Sequence, residues 1–153
     1  MIKEPWQLPE DEIARAYLSL GTISKKMNRF DQAETLLERC IIIAENLKGQ
    51  EEILQMAYIE LGKTLHAGAR HKNAIKYFER GFSLGYGPDR ADYWQTRYQL
   101  ALSYIETGDY MKSEPLLAEI SEEGDPLLQQ MAQIKLGSIG LEKYLSRLSI
   151  NTK

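Results

Sequence analysis

The chain has 153 residues, of which 43% are apolar and 27% charged, with 19 basic against 22 acidic side chains and a net charge of −3. That is the composition of a water-soluble protein of about one domain, and it lacks the basic surplus expected of a nucleic-acid binder. No apolar run approaches the roughly eighteen residues of a membrane span. The N-terminal MIKEPWQLPEDE has no apolar signal core, and the single Cys40 has no second cysteine to pair with. A cytoplasmic location is expected, with the periplasm as the alternative if a signal has been removed.

Residues 1–8 are predicted to be extended, with Trp6 folding back on the first hairpin. Pro9 and the acidic run Glu10-Asp11-Glu12 suit a helix start, since the N-terminal end of a helix dipole favours negative charge. Helices are predicted at about 9–27 and 30–47, with Asn28-Arg29 as the turn, and then at about 51–67 and 71–84, joined through Gly68-Ala69-Arg70. Gly85-Tyr86-Gly87-Pro88-Asp89 is the strongest breaker, too short for a domain linker. A fifth helix is expected at about 89–106 and a sixth at about 110–122, bent at Pro115, which removes a backbone hydrogen bond. Asp125 and Pro126 begin a last helical segment, reaching about Leu148, in which Gly137 and Gly140 leave a break open. It reads as a cap with a polar outer face, with a docking face for a further domain as the alternative.

These helices repeat one another. Tyr17-Leu18-Ser19-Leu20-Gly21 matches Tyr58-Ile59-Glu60-Leu61-Gly62. Twelve residues after each Gly comes Ala33 or Ala74, then Leu37 or Phe78, then Cys40 or Gly81. Leu100-Ala101 opens a looser third copy and Leu136-Gly137 a fourth, so the leucines at 20, 61, 100 and 136 are spaced by 41, 39 and 36 residues. Fixed-order self-similarity at such a period marks a helical solenoid. The small residues let two antiparallel helices approach, and the large ones fill the space beside them.

The pattern of large aromatic, Leu-Gly and Ala-x3-Phe resembles the tetratricopeptide repeat family, in a long-helix variant, over roughly residues 12–140. The departures are the missing Trp, Ser24 and Leu65 at the second aromatic place, and a period above the family's 34. The resemblance implies an all-α, right-handed superhelical solenoid of about three hairpins (12–47, 52–87 and 91–124) and a capping helix or partial repeat at 126–150, in a single domain.

No catalytic constellation is visible, and no enzymatic role is expected. His66 and His71 are five apart across a turn, unlike the i, i+4 pair of a helical zinc site, and no second sulfur ligand exists. Gly85-x-Gly87 matches no phosphate loop, and no serine has a nucleophile-elbow context. Cys40 sits at a small-residue place and reads as a buried, inert thiol. No cofactor or metal is expected.

A stacked-hairpin solenoid offers an extended concave surface, which the family resemblance assigns to the first helix of each hairpin. The expected groove residues are Leu18, Thr22, Lys25 and Lys26, then Ile59, Lys63 and His66, then Tyr98, Leu102 and Ile105, with Met131 and Ile134 on the final helix. The first half is then basic and the second apolar, with Tyr98 as an exposed anchor. The implied function is a scaffold binding a peptide or helix of a protein partner; the alternative is a peptide-sensing module of a larger protein. The chain is expected to be a monomer or to self-associate weakly. Repeats that clamp chaperone C-termini carry Asn directly after Leu-Gly; here Thr22 and Lys63 stand there, which argues against that ligand.

Overall fold

The computed structural model describes the backbone of residues 7–151 and the side chains of 7–149; Trp6 lies outside them. Among the described residues there are seven α-helices and no strand: α1 Glu10–Lys26, α2 Phe30–Glu45, α3 Glu51–Ala67, α4 His71–Ser83, α5 Tyr93–Glu106, α6 Tyr110–Glu123 and α7 Pro126–Asn151. The expected boundaries hold within two residues at most ends. The fifth helix starts later, at Tyr93, because Pro88 to Asp92 is spent in turns.

The chain forms two compact units, Met1–Gly87 and Pro88–Lys153, divided inside the predicted breaker. In the first unit α1 packs on α2, α2 on α3 and α3 on α4, with α1 also touching α3. A β-carbon placed on Gly21 would lie 2.7 Å from the Leu37 side chain, and one on Gly62 2.7 Å from the Phe78 ring. Both glycines therefore let a large residue of the second helix press onto the first helix's backbone, as the repeat pattern requires. Ala33, Leu37, Ala74 and Phe78 have no exposed surface.

One turn geometry closes three hairpins. Asn28, Ala69 and Gly108 take φ of 60°, 59° and 79°, and the next residue's N–H returns to the helix: Arg29 to Ser24 O, Arg70 to Leu65 O and Asp109 to Tyr104 O, at 2.9, 2.9 and 2.8 Å. This left-handed C-terminal cap satisfies carbonyls that the helix end leaves unpaired. Glycine adopts it without strain; only the third hairpin has one.

In the second unit α5 packs on α6, and α7 covers α6 and touches α5. Asp109 caps α6, its carboxylate accepting from Lys112 N at 3.2 Å, and Pro115 lies within that helix. Leu116, Leu117 and Ile120 of α6 are buried, as are Leu128, Ala132 and Ile139 of α7. The helix α7 runs unbroken through Gly137 and Gly140 for 26 residues. Its outer face is not the polar surface expected of a cap: Leu127, Ile134, Leu141, Tyr144, Leu145 and Leu148 are exposed.

Candidate functional site

Where α1 and α3 run side by side, they share a face that neither α2 nor α4 covers. Residues four and three apart recur on one side of a helix, so α1 presents Arg15, Ser19, Thr22 and Lys26, and α3 presents Met56, Glu60, Lys63 and Ala67. Arg15 Nη2 donates to Gln50 Oε1 at 3.1 Å. Lys25 Nζ reaches Glu60 Oε2 at 2.5 Å, and Lys63 Nζ reaches Glu60 Oε1 at 3.1 Å. One carboxylate thus bridges two ammonium groups, each of the three side chains less than a fifth exposed. With Arg15 and Lys26 exposed beside them, the face is cationic around Glu60, while Asp11 and Glu52 begin the same two rows one turn earlier.

The expected groove residues divide by repeat position. Thr22, Lys26 and Lys63 lie on this face, and Lys25 joins it through Glu60. His66 lies at its edge, its ring 5.3 Å from that of His71 and 6.5 Å from that of Phe78. Leu18, Ile59 and Tyr98, which occupy the same place in three copies, are instead buried, at 9%, 1% and 7% exposure. The physical reason is visible at Ile59: a β-carbon on Gly81 would sit 2.5 Å from its Cδ1, so the side chain points into the second helix of its own hairpin. Tyr98 is therefore a core residue and not an exposed anchor, and burial pushes its phenol above the usual range. In the second unit Leu102 and Ile105 are half-buried on α5.

Glu60 was missed by the sequence reading, although its place three residues before Lys63 on one helix face was a usable signal. Also missed was a cavity of about 620 Å³ along α3 and α4, lined by Leu54, Tyr58, Ile75, Lys76 and Arg80 among others. The Arg80 guanidinium stands 5.8 Å from the Tyr58 ring centre and 5.5 Å from that of Tyr77, a cation–π arrangement. Tyr58 Oη donates to Glu45 at 3.0 Å, which fixes the ring at the cavity's end.

Among the described residues, no cluster of three or more His, Cys, Asp or Glu side chains could hold a metal ion. Nor is any helix long and apolar enough to cross a membrane. Cys40 is fully buried, and desolvation pushes its thiol up to about 11, so almost no thiolate exists at neutral pH.

Paired helices closed by one repeated turn, with a small residue of one helix under a large residue of the next, define a helical-hairpin repeat protein. Residues 12–84 match the family model for the tetratricopeptide repeat, and this segment is similar to that family of protein-interaction modules. No curated protein matches the chain. Its fold is similar to the solved N-terminal domain of stress-induced protein-1 (STI-1) from C. elegans, at a TM-score of 0.62 and 16% identity, over 83% of this chain and 97% of that one.

Proposed function

We propose that the α1–α3 face binds an acidic peptide or helical segment of a protein partner. The supporting observation is a set of cations on adjacent helices: Lys25 and Lys63 held by Glu60, Arg15 bonded to Gln50, and Lys26, with Arg15 and Lys26 exposed to an incoming chain. Surface charge of one sign steers an oppositely charged partner and makes association salt-dependent. The Glu60 carboxylate holds Lys25 and Lys63 in place, so part of the ordering cost of binding is met before the partner arrives.

Selection of displayed random peptides on the immobilised protein tests this. Acidic sequences should be enriched on the native chain at low salt and lost on an Arg15→Glu, Lys26→Glu variant whose helix content and melting are unchanged. Equal enrichment on both proteins, or peptides with no acidic bias, would remove the assignment.

A further inference from the structure

The exposed face of α7 has an order that a solvated helix does not need. Leu127, Met131, Ile134, Ser138, Leu141, Leu145 and Leu148 follow one another at alternating steps of four and three. Six of the seven are apolar, through three heptads and about 32 Å of helix. Leu127, Ile134, Leu141, Leu145 and Leu148 are between 43% and 72% exposed. With 100° between successive residues, this stripe lies well over a quarter-turn from the face formed by Leu128, Ala132 and Ile139, which is buried against the unit's other helices. A second helix can therefore lie along the stripe without displacing α5 or α6.

We infer that this stripe is the interface of a homodimer in which α7 pairs antiparallel with α7 of a second copy. The flanking residues select both the occupant and the direction. Lys135 and Glu142 flank the stripe on one side, and Gly137 and Tyr144 on the other. In an antiparallel pair each flank meets the same flank of its partner. Opposing Ser138 to Leu141 of the second copy also opposes Ile134 to Leu145 and Met131 to Leu148. Lys135 then faces Glu142 of the second copy, twice by symmetry, offset by two residues or about 3 Å along the axis.

On the other flank Gly137 faces Tyr144 of the second copy. A β-carbon at Gly137 would meet nothing within 4 Å, leaving room for that ring. A parallel pair would instead oppose Gln130 to Lys135 and Gly137 to Glu142, with no opposite charges. The self-complementarity of one sequence, used twice, is what a two-fold interface requires. Met131 and Ile134 then belong to this interface and not to a peptide groove. The inference is independent of the α1–α3 proposal.

Sedimentation of the whole chain over a concentration series should give a species of twice 17.6 kDa. Leu141→Glu with Leu145→Glu should leave only the monomer, with the helix content and melting of the native monomer. Lys135→Glu alone should weaken the dimer about tenfold by opposing like charges twice, and Lys135→Glu with Glu142→Lys should restore it. Mixed Ile134→Cys and Leu145→Cys chains should join by a disulfide between the two different variants; buried Cys40 does not compete. A native chain that stays monomeric at high concentration overturns the inference and leaves the stripe to a helix of another protein. Early melting of the Leu141/Leu145 variant, failure of the charge swap, or a disulfide between two Ile134→Cys chains overturns it equally.

Discussion

The first two hairpins carry the same sequence pattern, yet bury it differently. Leu61 of α3 has no exposed surface, while Leu20, at the same repeat position in α1, is 50% exposed. Thr64 is fully buried, while its counterpart Ile23 is 52% exposed. The reason is the neighbour: α2 packs against this side of α3, and among the described residues no helix covers the same side of α1. A repeat position therefore dictates where a side chain points, but burial requires a preceding hairpin. The stability contributed by one repeat is held partly in the next, as expected where units touch only their neighbours.

The sharpest way to break this comparison is to truncate the two leucines in parallel. Leu61→Ala removes a fully buried side chain and should cost about 2–5 kcal/mol. Leu20→Ala should stay within about 0.5 kcal/mol. Thermal and denaturant melts of both variants decide it: equal losses would mean that α1 is covered in solution.

Gly21 and Gly62 make the opposite comparison, since here the two hairpins agree. Each glycine lies under a large residue of its own second helix, Leu37 or Phe78, so no preceding hairpin is needed. Gly21→Leu and Gly62→Leu should both overpack the contact and cost about 1–3 kcal/mol. A melting temperature unchanged in either variant would show that the helix pair is looser than these contacts require.

This contrast also explains what could be read from the sequence. Contacts within a hairpin were legible, because Gly62, Ala74 and Phe78 stand at fixed separations and a close helix crossing has few solutions. Which side chains stay open on the first helices was half legible. Thr22, Lys26 and Lys63 fell on the open face, but Leu18, Ile59 and Tyr98 were placed there as well, and all three are buried. On a helix one residue is 100°, so an error of one position in the inward-facing row moves a residue from solvent into the core. The continuity of α7 was undecidable from Gly137 and Gly140, because glycine's helix penalty of about 1 kcal/mol is small beside the packing of Leu128, Ala132 and Ile139. The exposed apolar side of α7 was legible only in part, through Met131 and Ile134 and the alternative of a docking face, because the leading expectation was that a terminal helix is polar outside.

A smaller effect separates Glu60 from Ser19, its counterpart in α1. Glu60 holds Lys25 and Lys63 at 2.5 and 3.1 Å; Ser19 is exposed. Glu60→Gln leaves two partly buried cations beside a neutral amide and should cost about 1 kcal/mol, with the loss shrinking as added salt screens the lysines. Ser19→Ala should change nothing measurable. A Glu60→Gln loss that is indifferent to salt would assign the effect to packing and not to charge.

The smallest expected effect is a gain. The turn after α3 places Ala69 at φ 59°, where the first hairpin has Asn28 at 60° and the third has Gly108 at 79°. A left-handed conformation costs an L-residue with a β-carbon about 1–2 kcal/mol; asparagine tolerates it better and glycine pays nothing. Ala69→Gly removes that strain but adds about 0.4–1 kcal/mol of unfolded-state freedom. The net should be a stabilisation of about 0.5 kcal/mol, a rise of a few degrees or less in melting temperature. Gly108→Ala, which introduces the same strain and withdraws the same freedom, should lower stability by a similar amount. Because Ala69 is exposed, no packing term confuses the comparison. If Ala69→Gly lowers the melting temperature while Gly108→Ala raises it, the two turns do not share one geometry, and the hairpins differ in more than their neighbours.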